Sequence, residues 1–567
     1  MQQKTLPVGV DDFEMLITRG YYLVDKTMFI KELIDKKGTV NLFTRPRRFG
    51  KTLNMSMLRY FFEDGCDRMG NKVDYAHLFE GLKIMECGDE YLQYMGSYPV
   101  ISLTLKSAKQ NDFSLSYTML ARAIADEFER HAFLMESEKM TPRMKKRYEK
   151  LMNEEATMAD YSDALKFLSE CLYNYYGKKA IILVDEYDVP LESAYQYGYY
   201  DKMVSFIRSL FESAFKTNAC LEFAVITGCL RISKESIFTG MNNLKIISIL
   251  NEKYDEYFGF TDEEVQKICA DYGMPQKFER VKEWYNGYVF GNANVYNPWS
   301  VIQFVDDLIE NVNCFPSPYW ANTSSNSIVR SLVSRADRKT KDEIEQLIEG
   351  KSVEKQVHED ITYDEVYKGM DNLWNFMFFT GYFRKVGERM EGTRKYVTLT
   401  IPNKEVHYIF ENKVLGWFQE EVEKRDLTGL YEAFLNMDTA VVKEEIEKMF
   451  FDTISMYDYY ESFYHGFLAG ILYGIGGYYV KSNREGGNGR TDLFVKPLSY
   501  EKTAYVIEFK VAKNVDDLDK KADEALAQIK EKCYDRELKS EGYTSFAHYG
   551  ISFFGKKCMV KVREAGD

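Results

Sequence analysis

Residues Val40 to Phe62 (VNLFTRPRRFGKTLNMSMLRYFF) constrain this chain more than any other segment. The run is apolar from Val40 to Phe43, breaks over Arg45 to Gly50, and resumes with helical spacing at Leu53, Met57, Leu58 and Phe61. A strand that turns into a helix at Gly-Lys-Thr is the sequence form of a phosphate-binding loop. Backbone N–H groups of Arg48, Phe49 and Gly50 would cradle phosphates. Lys51 would reach the outer phosphates, and the Thr52 hydroxyl would hold Mg²⁺. The usual loop opens with glycine, where this one has Arg45. Only glycine escapes the Cβ penalty at positive φ, so arginine there is expected to restrict the entry of the loop.

Gly-Lys-Thr alone recurs by chance, so its surroundings decide. Downstream, Ile181, Ile182, Leu183 and Val184 lead into Asp185 and Glu186. Four apolar residues before two acids suit a buried strand that delivers Asp185 toward Mg²⁺, with Glu186 polarising the attacking water. The competing explanation is a strand with acids at its solvated end. A third apolar run, LEFAVITG at 221–228, ends near Thr227, placed to sense a γ-phosphate, and Arg231, placed to stabilise its developing charge. Strands alternating with helices imply an α/β fold with a largely parallel sheet. The charged stretch 135–160 reads as a solvated helical insertion.

A second acid cluster lies near the other end. Asp492 opens a short strand, and Glu508 and Lys510 stand two apart, hence on one face, in the strand at 503–511. Two carboxylates offer hard oxygen ligands to Mg²⁺, which activates water and bridges a phosphate oxygen. Lys510 would orient the water or offset phosphate charge. This pattern also fits a surface salt bridge on an amphipathic hairpin. Glu508, however, sits within the apolar run Val506-Ile507-Glu508-Phe509, where an unpartnered acid is costly. A helix at 516–532 brings Gln528 nearby, and Glu461, on a helix over 457–475, would be a further metal ligand. His465, four residues after Glu461, reads as a core histidine. The glycine-rich SNREGGNGR (482–490) reads as a strand connection able to touch a nucleic-acid backbone. A last strand is expected over 547–562.

Composition limits the alternatives. The 567 residues carry 74 Lys+Arg against 88 Asp+Glu, a net charge of −14, which excludes a basic coat for nucleic acid. Residues 455–567 hold 17 of each sign, so the excess lies before them. The 15% aromatic content reads mainly as core packing. Nine cysteines without a CxxC pair argue against zinc or a disulfide framework and fit a reducing cytoplasm. The apolar run Phe467 to Val480 is too short to span a bilayer. From about 255 to 440, helical segments alternate with aromatic loops such as WYNGYVFGNANVYNPWS (284–300).

The segments LPVGVDDFEMLITRGYYLVDKT, FTRPRRFGKT, ILVDEYD, ITGCLRISKES, WYNGYVFG and SNREGGNGRTDLFV…VIEFK together resemble a bacterial family of AAA-ATPase-like proteins joined to a PD-(D/E)xK nuclease-like domain. The Arg-Pro-Arg-Arg-Phe-Gly-Lys form of the loop belongs to that resemblance. It implies a P-loop, AAA-like core over 1–255, a mainly helical middle over 256–450, and a restriction-endonuclease-like α/β domain over 451–567. It further implies ATP positions at Lys51, Thr52, Asp185 and Glu186. Nuclease positions fall at Asp492, Glu508 and Lys510, with Glu461 and Gln528 accessory. The function expected is ATP hydrolysis coupled to Mg²⁺-dependent cleavage of nucleic acid, DNA in the first instance. No membrane is involved, and a homo-oligomer is compatible with this. The alternative is a nucleotide-controlled switch whose nuclease-like domain binds without cutting.

Overall fold

The computed structural model describes residues 3–230, 237–238, 241–320, 337–358, 369–410, 426–452, 461–486 and 489–564. The chain forms two compact units, Met1–Ile328 with Ser352–Ile409, and Val329–Lys351 with Phe410–Asp567.

The first unit is built on five parallel strands: β1 (Val40–Thr44), β2 (Val100–Thr104), β3 (Ala180–Asp185), β4 (Leu221–Gly228) and β5 (Leu244–Ile247). Their order in the sheet is β2-β3-β4-β1-β5. β1 and β3 are buried at every position, which explains their unbroken apolar runs: a parallel sheet is covered on both faces. β4 separates the loop strand β1 from the acid strand β3. Phe43 pairs with Thr227 on one side of β4, and Val184 pairs with Ile226 on the other. The carboxyl ends of β1, β3 and β4 therefore lie side by side, where open parallel sheets take ligands. Helix α1 (Lys51–Phe62) leaves from that edge.

Two regions of this unit differ from the sequence expectation. Within 135–160, helix α2 (Pro142–Met152) is packed rather than solvated. Tyr148 and Leu151 are fully buried, and the Tyr148 hydroxyl donates to the carbonyls of Phe128 (2.8 Å) and His131 (3.0 Å). Its many charges occupy the outer face and mask the few anchors that hold it. The aromatic segment 284–300 forms a small hairpin, β6 (Tyr288–Phe290) and β7 (Ala293–Val295), followed by helix α3 (Pro298–Glu310). Beyond it lies an antiparallel sheet of β8 (Val353–Gln356), β9 (Arg384–Glu391) and β10 (Arg394–Thr400), ordered β8-β10-β9. Cross-strand pairs such as Arg389 with Glu354 (2.6 Å) make these strands charge-rich and hide their alternation.

The second unit carries a mixed sheet in sequential order: β11 (Tyr478–Gly486), β12 (Gly489–Pro497), β13 (Ala504–Val511), β14 (Phe546–Phe554) and β15 (Lys557–Glu564). Only β13 and β14 are parallel. The strand expected over 547–562 is thus a hairpin, turned at Gly555 with φ 58°. Most of SNREGGNGR lies in paired strands rather than a loop, with Glu485 opposite Arg490. Its side chains lie outside the described residues.

Strand alternation divides this sheet between two cores. Leu493, Val495, Tyr505, Ile507 and Phe509 meet helices Thr428–Leu435, Thr439–Asp452 and α4 (Glu461–Leu472). Phe494, Ala504 and Val506 meet α5 (Leu518–Lys532) and α6 (Asp535–Glu541). Asp492, Glu508 and Lys510 share the parity of Phe494 and Val506, and so belong to the α5 side. Among the described residues no helix is long and apolar enough to cross a membrane, and all nine cysteines are free thiols.

Candidate nucleotide and metal sites

The loop after β1 does not use a glycine at its entry. Arg45 is not in the left-handed region; its side chain instead turns into the core with no exposed surface. Its guanidinium donates to the carbonyls of Thr44 (2.9 Å), Ile247 (3.0 Å) and Tyr254 (3.3 Å), and lies 5.1 and 5.2 Å from the rings of Phe258 and Phe290. Burial lowers its pKa, yet a guanidinium stays charged at neutral pH. The expected restriction at Arg45 is replaced by an anchor. The positive φ angles fall later, at Arg48 (70°) and Gly50 (76°). Phe49 is fully buried against Tyr288 and Phe290, with ring centroids 4.9 and 5.1 Å away, so only its backbone is available to a phosphate. Lys51 is 5% exposed, and its ammonium donates to the carbonyls of Arg45 (3.0 Å) and Pro46 (2.9 Å).

Across the strand ends, both Asp185 oxygens are engaged. Thr52 donates to one at 2.7 Å, and Thr227 donates to the other. The intervening β4 thus supplies the hydroxyl that orients the acid of β3. Burial raises the Asp185 pKa, and these two bonds oppose the shift. Glu186 follows with φ 53°, its N–H donating to the Thr227 hydroxyl at 3.4 Å. A strained backbone at a non-glycine residue marks a conformation held by its surroundings. Thr52 and Asp185 are a hard-oxygen pair suited to Mg²⁺. Arg231 lies outside the described residues.

In the second unit, Leu493 pairs with Ile507, which sets Asp492 opposite Glu508 one step further along. Asp492 accepts from the Phe509 N–H at 2.8 Å. One Glu508 oxygen accepts from Lys510 at 3.2 Å and from the Gln528 amide, which also donates to the Tyr534 hydroxyl at 3.2 Å. The other Glu508 oxygen is buried with no hydrogen-bond partner among the described residues. Glu508 is 2% exposed; burial, reinforced by the charge of Asp492, pushes its pKa up to about 7, and Lys510 opposes this. A buried carboxylate oxygen without a donor fits a cation. The side chain of Glu461 lies outside the described residues, as does that of His465.

Residues 7–238 match a family described as a predicted AAA-ATPase, and residues 459–563 match the PD-(D/E)XK nuclease superfamily. The chain joins a AAA-ATPase-like domain to a domain of the PD-(D/E)XK nuclease superfamily. An uncharacterized protein from the vnfD 5′ region of Azotobacter chroococcum mcd 1 is 26% identical over 554 residues, covering 96% of this chain and 95% of the relative. No solved structure matches.

Several residues that shape both sites escaped sequence reasoning. In the AAA-ATPase-like domain, Asp188 is buried and accepts from the N–H groups of Cys229 (2.8 Å) and Leu230 (3.1 Å), while Tyr187 donates to the Leu230 carbonyl at 2.7 Å. Burial raises the Asp188 pKa to about 6, and Lys51 opposes the shift. These bonds lock the turn after β3 to the turn after β4. A Cβ on Gly228 would lie 2.5 Å from the Tyr187 ring, so only glycine fits between them. The second aspartate of ILVDEYD, Asp188, was the available signal. In the PD-(D/E)XK domain, Gly550 pairs with Glu508 across β13 and β14 and lets α5 approach the sheet. No sequence signal marked it.

Proposed function

We propose that the protein binds and hydrolyses ATP in its first unit and that this activity controls Mg²⁺-dependent phosphodiester cleavage in its second. The observation that carries the proposal is the double hold on Asp185 by Thr52 and Thr227 at the carboxyl edge of a parallel sheet. Bound Mg²⁺ would neutralise phosphate charge and lower the pKa of coordinated water. Thr52 and Asp185 are the residues to hold it beside ATP. Lys51 offers its ammonium to the outer phosphates, and Glu186 is the carboxylate able to accept a proton from water. In the second unit, Asp492 and the unpartnered oxygen of Glu508 would hold the ion. Gln528 and Lys510 fix the Glu508 carboxylate through its other oxygen. Lys510 also places a positive charge where a scissile phosphate would lie.

Nucleic acid, DNA first, is the proposed substrate, and the nine free thiols support a cytoplasmic setting. The test uses full-length protein, Mg²⁺, and DNA and RNA substrates with and without ATP. ATP turnover lost in Lys51→Ala, and cleavage lost in Glu508→Gln, are the expected results. No nucleotide turnover, or cleavage indifferent to both substitutions, would sink the proposal. ATP turnover without cleavage of any substrate would leave a nucleotide-controlled switch that binds without cutting.

A further inference from the structure

The loop RPRRFGKT carries three arginines, and the structure engages them differently. Arg45 is buried on three carbonyls, and Arg47 is paired with Glu192. Arg48 makes no hydrogen bond or ion pair among the described residues. It is exposed at its tip of the loop, yet it is not loose: its guanidinium carbon sits 4.3 Å over the ring of Trp299. Stacking uses the face of a guanidinium and leaves its in-plane N–H donors unengaged. The charge of Glu186, at the end of β3, acts on the Arg48 guanidinium.

Trp299 is itself held firmly. It stands in the first turn of α3, whose cap Asn297 accepts from the Trp299 N–H at 3.0 Å. The preceding hairpin clamps Phe49 through Tyr288 and Phe290. The Trp299 indole N–H is buried without an acceptor among the described residues. Buried indoles ordinarily find one, so both members of the stack retain donors.

Resting on the nucleotide-binding proposal above, we propose that Arg48, positioned by Trp299, recognises the terminal phosphate of ATP and distinguishes ATP from ADP. The stack holds a flexible side chain in place before the ligand arrives, reducing the ordering cost of binding. The backbone of Arg48 has φ 70°, and the next residue, Phe49, packs on Tyr288 and Phe290 of β6.

The experiment measures dissociation constants of full-length protein for ADP and a non-hydrolysable ATP analogue by calorimetry. Arg48→Gln is expected to weaken the ATP analogue by about ten- to a hundredfold, the loss of one charged hydrogen-bonding group, with ADP changed by less than about threefold. Trp299→Leu should reduce the same preference, and Trp299→Phe, which keeps a ring face, should retain most of it. Lys51→Ala should weaken both nucleotides. If wild type binds both and Lys51→Ala weakens both, but the preference survives Arg48→Gln, the proposal for Arg48 is overturned while the nucleotide site stands. If wild type binds neither nucleotide, both proposals fail. Arg48→Gln leaves the Trp299 core intact and keeps the test valid should Trp299→Leu fold poorly.

Discussion

Gly550→Ala tests how closely the helix that carries Gln528 must approach the sheet. The added Cβ would lie 2.7 Å from Leu526 Cγ and 3.1 Å from Leu526 N, and closer still to the Ala522 carbonyl oxygen. Optimal carbon contacts are about 3.5 Å or more, so α5 must retreat by roughly 1 Å. Two of the atoms met are backbone, and no rotamer change relieves them. Overpacking of this kind costs about 1–3 kcal/mol, a fall in melting temperature on the order of 5 °C for a unit of this size. Gln528 rides on the same helix, two residues beyond Leu526, and its amide fixes Glu508. A misplacement of about 1 Å can lower a rate by up to roughly 100-fold. The assay pairs calorimetric melting with Mg²⁺-dependent cleavage by full-length protein. Gly476→Ala is the control, since nothing lies within 4 Å of its added Cβ. A Gly550→Ala protein that melts and cleaves like wild type would refute the close-approach role of this glycine.

Three further outcomes follow from the same geometry. Arg45→Gly, which restores the usual loop glycine, should lower stability by about 3–5 kcal/mol in chemical denaturation, because it empties the space between Phe258 and Phe290 and removes donors from three carbonyls. Glu405 is fully buried, accepts from Ser300 and the Trp320 N–H at 2.9 Å, and burial raises its pKa from 4.5 to about 8. The folded state therefore holds a proton that the unfolded chain has released, and stability should fall by up to about 1.4 kcal/mol per pH unit as pH rises between those two values. Glu405→Gln should remove this contribution to the slope in melts across pH 5–8. Asp188→Ala, which leaves the Cys229 and Leu230 N–H groups without their acceptor, should cost about 1–3 kcal/mol in urea unfolding.

The sequence reached furthest where local order and chemistry coincide. Lys51 and Thr52 were legible because a phosphate loop needs a strand, a turn and a helix in immediate succession, and Asp185 because an unbroken apolar run ends at it. Glu508 and Lys510 were legible as one face because residues two apart in a strand point the same way, whereas Asp492 joins them only through the β12–β13 register that sets it opposite Glu508. The small sheet β8–β10 was not, since its alternation is covered by Arg389, Glu354 and Glu388. Helix α2 was misjudged for the same reason, its charges outnumbering Tyr148 and Leu151.

By itself the sequence determined the class of the two ends: apolar runs that end at Gly-Lys-Thr and Asp-Glu, and an acid embedded in an apolar strand. Only the tertiary structure decided which residues complete them. Arg45 became an anchor because Ile247 and Tyr254, some two hundred residues away, turn their carbonyls toward it. Arg48 gained a stacking partner from Trp299, and Glu508 gained Gln528 because Gly550 lets α5 come close. Such partners are separated along the chain and joined only by packing. Backbone pattern specifies where a side chain points, whereas its neighbours across space depend on how whole elements dock.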